Sequence, residues 1–148
     1  MRQFINLILN NRILITTFLA WIVAQSIKVI IGIIREKKFD FRWLISTGGM
    51  PSSHTAGVVA LATSVGIHTG WDSVYFAIAA VFAVVVMFDA QGVRRTIGRQ
   101  AYILNKILDD IYWQGKIQED RLRELIGHTP IEVIMGMVLG IVISFLMH

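Results

Sequence analysis

The sequence predicts an all-α integral membrane protein with about four transmembrane helices and a cytoplasmic amphipathic helical segment. Of its 148 residues, 55% are hydrophobic and only 16% are charged. The mean hydropathy is +0.62, which is not typical of a soluble domain. The apolar residues form runs long enough to cross a hydrocarbon core of roughly 30 Å. Polar stretches that contain Gly and Pro separate these runs.

The first two spans follow from apolar runs in what we expect to be a single domain, residues 1–148. The first span covers residues 13–34. Three polar residues chiefly interrupt it: Gln25, Ser26 and Lys28. The second span, residues 55–67, is short and rich in Gly, Ala, Ser and Thr. Because small residues let helices approach closely in lipid, we expect it to be packed inside the bundle.

The second half of the chain adds two spans and a polar segment. The third span covers residues 74–89, and the last covers residues 130–147 with Gly136 and Gly140 in a GxxxG arrangement. Between them, residues 92–127 are polar but keep apolar residues at helical spacing. We interpret this segment as a surface helix or helix pair.

The charge distribution predicts the orientation. Four spans place both termini on one face of the membrane and the loops 35–54 and 89–128 on the other. Outside the candidate site residues, the basic residues of the loop face include Lys37, Lys38, Arg42, Arg99, Lys106 and Lys116. The terminal face carries Arg2 and Arg12. The positive-inside rule therefore places the loops in the cytoplasm of a bacterial-type plasma membrane.

Composition also excludes several classes of function. The chain contains no cysteine, so it has no disulfide, thiolate metal site or cysteine nucleophile. Its net charge of +4 is modest, and the basic residues lie beside apolar segments. This pattern favours anionic lipid headgroups over nucleic acid.

The segment 48–54, GGMPSSH, is the most specific local signal. Its glycines allow close backbone approach, and Ser52 and Ser53 can donate hydrogen bonds at the positive end of the following helix, where a phosphate binds well. His54 has a side chain suited to proton transfer near neutral pH. The alternative is an ordinary N-cap serine followed by an interfacial histidine.

Two further segments bring basic residues to the same face. Lys28 and Arg35 are seven residues apart, which places them on one side of a helix, where both can face one anion. The alternative for Lys28 is that it extends to the membrane interface. Asp89 ends the third span and is followed by Arg94 and Arg95, which could equally be a stop signal of solvated charges.

The last span begins with GHTPIEV, in which His128 and Glu132 are four residues apart on one helical face. A carboxylate at this spacing can fix the tautomer of an imidazole and make it more nucleophilic. An acidic residue in a capped first turn explains the same residues structurally. All four polar clusters fall at the same face, which indicates a common site.

These segments resemble the type 2 phosphatidic acid phosphatases and vanadium-dependent haloperoxidases. KVIIGIIR at 28–35 is similar to the superfamily's KxxxxxxRP motif without its proline. PSSH at 51–54 is similar to PSGH, with Ser53 replacing Gly, and HTPIE at 128–132 is similar to HxxxD, with Glu132 replacing Asp. Together with DAQGVRR, they resemble a divergent branch of that superfamily over nearly the whole chain.

The resemblance implies a phosphoric monoester hydrolase of the acid phosphatase type. His128, oriented by Glu132, would attack phosphorus and form a phosphohistidine, and His54 would protonate the leaving alcohol. The scheme requires no metal and no other cofactor. The phosphate-binding residues it implies are Lys28, Arg35, Ser52 and Ser53.

Besides the exchange of Asp for Glu132, two further features depart from the superfamily. Its third-motif arginine falls at the position of Leu122 here, so we expect Arg94 or Arg95 to replace it, with Arg123 as second choice. Gly49 and Asp89 would support the site. Membrane members have more spans than the four predicted here, so a homodimer could complete the bundle, and the GxxxG motif offers one packing face.

The leading hypothesis is a phosphatase acting on a membrane lipid such as phosphatidate, phosphatidylglycerophosphate or a prenyl diphosphate. The second is a membrane protein that binds or transports lipid phosphates without hydrolysing them. A third, haloperoxidase chemistry on bound vanadate, fits the same cradle but not a small membrane-embedded chain.

Overall fold

The structure is a computed structural model that describes residues 1–37, 49–112 and 128–148. Every regular element within these ranges is a helix, so the all-α prediction is confirmed there. The helices are α1 (Arg2–Leu9), α2 (Arg12–Glu36), α3 (Ser53–Thr69), α4 (Val74–Tyr112) and α5 (Pro130–Met147).

Within the described ranges, three helical segments are long and apolar enough to cross a bilayer. They are α2, the first part of α4 (Val74–Gln91) and α5. Their outer faces carry large exposed apolar side chains, such as Phe18, Val85 and Phe145. In water such surfaces would be unfavourable, whereas hydrocarbon solvates them.

Helix α3 lies at the centre of the bundle. It contacts α2, α4 and α5 extensively, while α4 and α5 barely touch each other. Its 17 residues extend about 26 Å, slightly less than the hydrocarbon core. Small side chains, including Ala56, Ala60 and Ser64, are fully buried there. The prediction that this segment packs inside the bundle agrees with its position.

Two stripes of small residues bring α3 and α5 into backbone contact. On α5 the stripe is Gly136, Gly140 and Ser144. A Cβ atom added to Gly136 would lie 2.5 Å from the carbonyl oxygen of Ser52, and one added to Gly140 would lie 2.5 Å from that of Ala56. One turn further, the Ser144 hydroxyl lies 3.1 Å from the Ala60 carbonyl oxygen. In lipid, such close van der Waals packing is a main source of helix association.

This contact corrects one expectation from the sequence. The GxxxG motif was expected to offer a packing face to a second copy of the chain. Both glycines are instead buried against α3 of the same chain. A GxxxG motif predicts a close helix contact, but the sequence does not say which helix makes it.

Helix α4 also differs from the expectation. The sequence places a boundary near Gly92 and a separate surface helix after it, whereas α4 runs without a break from Val74 to Tyr112. One glycine inside a helix costs only about 1 kcal/mol relative to alanine, which is too little to end it. At 39 residues, α4 extends about 58 Å, so its C-terminal part projects beyond any single bilayer crossing. The rest of the polar segment, 113–127, lies outside the described residues.

The α3–α5 contact makes a stability prediction. Gly140→Ala puts a methyl group where the Ala56 carbonyl oxygen already lies, so the helices must separate, and we expect a loss of about 1–3 kcal/mol in unfolding free energy. Val142→Ile adds the same methyl group on the lipid-facing side of α5, where Val142 is 47% exposed, and should change little. Thermal unfolding in detergent measures both variants; equal unfolding temperatures would contradict the contact.

Candidate functional site

The N-terminus of α5 holds His128 and Glu132 in a fixed arrangement. Thr129 is the N-cap of α5, and its side chain accepts a hydrogen bond from the backbone N–H of Glu132. In return, the Glu132 carboxylate accepts from the backbone N–H of Thr129 at 2.9 Å. This reciprocal pair is a capping box, and it fixes where the Glu132 carboxylate lies.

The same carboxylate also engages the imidazole of His128. Oε2 of Glu132 lies 3.0 Å from Nδ1 of His128. Because an ionised carboxylate only accepts hydrogen bonds, Nδ1 carries the hydrogen and a neutral ring has its lone pair on Nε2. The His128 side chain is fully buried, whereas that of Glu132 is 18% exposed. The arrangement therefore provides an oriented imidazole whose basic nitrogen points away from the carboxylate.

The start of α3 is attached directly to this pair. The backbone N–H of Ser52 donates to the carbonyl oxygen of Glu132 at 3.0 Å. Ser52 is the N-cap of α3, and its hydroxyl oxygen accepts from the hydroxyl of Thr55 at 3.0 Å. The N-cap alternative therefore describes Ser52 correctly. Ser53 is buried in the first turn, and the side chain of His54 is exposed. Because Ser52 bonds to Glu132, the positive end of α3 lies beside the start of α5.

Lys28 reaches the same region from α2. It is buried, and its Nζ donates to Oε1 of Gln25 at 3.2 Å. A Cβ atom added to Gly49 would lie 3.2 Å from Cγ of Lys28, so the lysine chain packs against the turn that leads to Ser52. The Lys28 ammonium therefore turns back along α2 to Gln25.

The middle of helix α4 also contacts the start of α5. The backbone N–H of His128 donates to the carbonyl oxygen of Ala90 at 3.3 Å. This bond brings the end of the third predicted span to the start of the last. The neighbouring Asp89 has an exposed side chain. Arg94 and Arg95 follow one turn further along α4, and their side chains lie outside the described residues.

The remaining predicted residues are less closely joined to this cluster. Arg35 lies in the last turn of α2 and is exposed. Arg123 lies outside the described residues. His68 and His148 pack against each other at the opposite end of the bundle, with their ring centroids 4.3 Å apart. There, burial and the nearby charges of His68 and Arg12 lower the pKa of His148.

Sequence reasoning missed three contributors to this site. Thr129 was visible in the T-x-x-E pattern of a capping box. Gln25 was visible as a polar residue three positions before Lys28 on the same helix. The role of Ala90 depends on its backbone carbonyl, for which the sequence carries no signal.

Comparison with known proteins agrees with the resemblance. The profile of a family described as the "Divergent PAP2 family" matches residues 9–143, a range that includes every candidate site residue. The chain is 43% identical over 151 aligned positions to the uncharacterized membrane protein YuiD of Bacillus subtilis (strain 168), and the alignment covers 95% of this chain and 96% of that protein. No solved structure matches the chain. The apolar helices and this relative together indicate an integral membrane protein.

The turn at Gly49 makes a prediction about anion binding. Gly49 has a φ of +98°, and a side chain there would also displace Lys28. We expect Gly49→Ala to cost about 1–3 kcal/mol in stability and to weaken binding of vanadate, a phosphate mimic, by about tenfold or more. Isothermal titration with vanadate measures the affinity.

Gly70→Ala is the matched control. Gly70 has a similar φ of +92° but lies between α3 and α4 at the opposite end. It should cost comparable stability and leave vanadate affinity unchanged. Equal losses of affinity in both variants would show that Gly49 acts only through stability.

Proposed function

The chain belongs to the divergent PAP2 family, and on that premise we propose that it is a metal-independent membrane lipid phosphate phosphatase that forms a phosphohistidine. The observation that carries the proposal is the 3.0 Å contact between Nδ1 of His128 and the Glu132 carboxylate. That contact leaves Nε2 as the nucleophilic nitrogen, and the capping box holds the carboxylate that orients it.

The reaction proceeds in two displacements at phosphorus. Nε2 of His128 attacks, the N–P bond forms, and the P–O bond to the lipid breaks. The leaving group, an alcohol from a phosphate monoester or a prenyl phosphate from a prenyl diphosphate, takes a proton from His54, which is exposed and can exchange protons with solvent. A water molecule then attacks phosphorus and gives its proton to His54. The N–P bond breaks, inorganic phosphate leaves, and both histidines return to their starting states.

Positive groups around the phosphoryl oxygens stabilise the charge of each transition state. Lys28 supplies positive charge on one side of the phosphoryl group, where its side chain packs against the turn at Gly49. The start of α3 supplies the positive end of a helix, with Ser53 in its first turn. Arg35 and either Arg94 or Arg95 supply further charge.

The site lies at one membrane face, and we infer that this face is cytoplasmic. The start of α3 follows the basic loop 35–54, and the start of α5 follows the basic loop 89–128. The positive-inside rule places both loops in the cytoplasm. In this arrangement α3 is a fourth, shorter crossing between α2 and α4. A substrate made on the cytoplasmic leaflet fits this orientation, such as phosphatidate, phosphatidylglycerophosphate or a prenyl diphosphate.

The central test replaces the nucleophile. We expect His128→Ala to lower phosphate release from a panel of lipid phosphates by about 10³-fold or more. It should also abolish the acid-labile protein-bound phosphate that forms when the wild type is quenched with radiolabelled substrate. His68→Ala, at the opposite end of the bundle, is the matched control and should keep full activity. Full activity in His128→Ala would refute the mechanism.

A second variant separates catalysis from folding. Glutamine can replace glutamate in a capping box, so Glu132→Gln should keep the unfolding temperature. It removes the charge that stabilises the imidazolium, and we expect kcat to fall by about 10²–10⁴-fold. Wild-type protein that binds vanadate but releases no phosphate from any lipid phosphate would instead support a lipid-phosphate binder or transporter.

The orientation is tested separately with cysteines introduced into a chain that has none. In intact cells, Lys38→Cys should react with a membrane-impermeant thiol reagent only after permeabilisation, and His148→Cys should react directly. Labelling of both positions from one side would contradict four crossings, and the reverse pattern would place the site outside.

A further inference from the structure

A groove runs along α2. Its volume is about 370 Å³, which lies within the usual range for ligand sites. Among the described residues, it is lined by Trp21, Ile22, Gln25, Ser26, Val29 and Ile30. These residues span nine helical steps, so the groove is about 14 Å long. It runs parallel to the axis of α2 and therefore has the same tilt to the membrane normal as α2.

The groove adjoins the candidate site through Gln25. Gln25 lines the groove and accepts the hydrogen bond of the Lys28 ammonium at 3.2 Å. Lys28 in turn packs against Gly49, three residues before Ser52. A molecule with a phosphate at the site and a chain in the groove would therefore meet Lys28 and Gln25 where its two parts join.

We propose that this groove binds a hydrocarbon chain of the lipid phosphate on which the enzyme acts; the inference rests on the function proposed above. The site lies at the C-terminal side of α2, and the groove extends from Ile30 towards Trp21, which is deeper in the predicted span. A lipid held by its phosphate has its chain running in this direction. The walls are mainly apolar, with Trp21 and Ile22 each more than 40% exposed, and they suit an acyl or prenyl chain.

The chemistry of the walls favours a chain over a second copy of the protein. Helices that associate in lipid usually present small residues, which let the backbones approach. The small-residue stripe of α5 is already buried against α3. The α2 groove presents Trp21, Ile22 and Ile30 instead, whose bulky side chains leave a furrow between them that a flexible chain can fill.

The test narrows the groove without touching the site. Val29 lines the groove and is half-buried, so Val29→Trp should obstruct it. We expect kcat/KM for long-chain lipid phosphates to fall by about tenfold or more, mainly through KM. Activity on a short-chain, water-soluble phosphate monoester should stay within about twofold of the wild type, because that substrate does not need the groove.

Val85→Trp is the matched control. Val85 lies on the lipid-facing side of α4 and is 59% exposed. The same enlargement there should leave the activity on long-chain and short-chain substrates unchanged. Equal loss on long and short substrates in Val29→Trp, or no loss on either, would overturn the inference. In both cases the wild type still hydrolyses lipid phosphates, so the proposed function would stand.

Photo-cross-linking tests the groove independently of turnover. A lipid phosphate with a diazirine midway along its chain should label residues 21–30, and an excess of unmodified lipid phosphate should suppress that labelling. Labelling spread evenly over the outer faces of α2, α4 and α5 would overturn the inference, because it would indicate ordinary surrounding lipid. Disulfide-linked dimers formed through Ile22→Cys would also overturn it, because a second copy would then cover the groove.

Discussion

The backbone contact between α3 and α5 is the constraint on which the rest of the structure depends. In a bilayer, burying apolar side chains between helices gains little, so association depends on how closely the helices pack. Gly136 and Gly140 allow that approach, and the Ser144 hydroxyl continues it with a hydrogen bond to Ala60. The same contact positions the candidate site, because Gly136 faces the Ser52 carbonyl and the Ser52 N–H bonds to the Glu132 carbonyl. A change in the α3–α5 contact is therefore expected to alter both the stability of the bundle and the geometry of the candidate site.

Glu132 shows that a structural and a functional interpretation of the same residues can both hold. Its carboxylate closes the capping box with Thr129 and contacts His128. The superfamily motif has aspartate at this position, and the glutamate here is one methylene longer. Capping boxes use Glu or Gln at the third helical position, so the extra methylene lets one carboxylate reach both the backbone of Thr129 and the imidazole. The substitution fits this helix start.

The sequence predicted what depends on local pattern. Apolar runs located α2, α3 and α5, and the four-residue spacing of His128 and Glu132 predicted a pair that lies 3.0 Å apart. The sequence analysis failed where a contact joins distant segments: it did not identify the partner of the GxxxG motif or the carbonyl of Ala90. It also missed the local contact of Lys28 with Gln25. It also placed a boundary near Gly92, where α4 continues, because the cost of one glycine is small beside that of ending a helix with unsatisfied backbone groups. The roles of Arg35, Arg94, Arg95 and Arg123 stay predictions.

The short central helix supports the proposal that the protein acts on a lipid phosphate that stays in the bilayer. Helix α3 is shorter than the helices around it, and its N-terminus meets α2 near Lys28 through Gly49. Lys28 lies eight residues before the end of α2, which is about 12 Å along the axis. The start of α3 is therefore recessed below the end of α2. A buried lysine at this depth is costly, and its contact with both the turn and Gln25 places that charge where a phosphate and its chain would join.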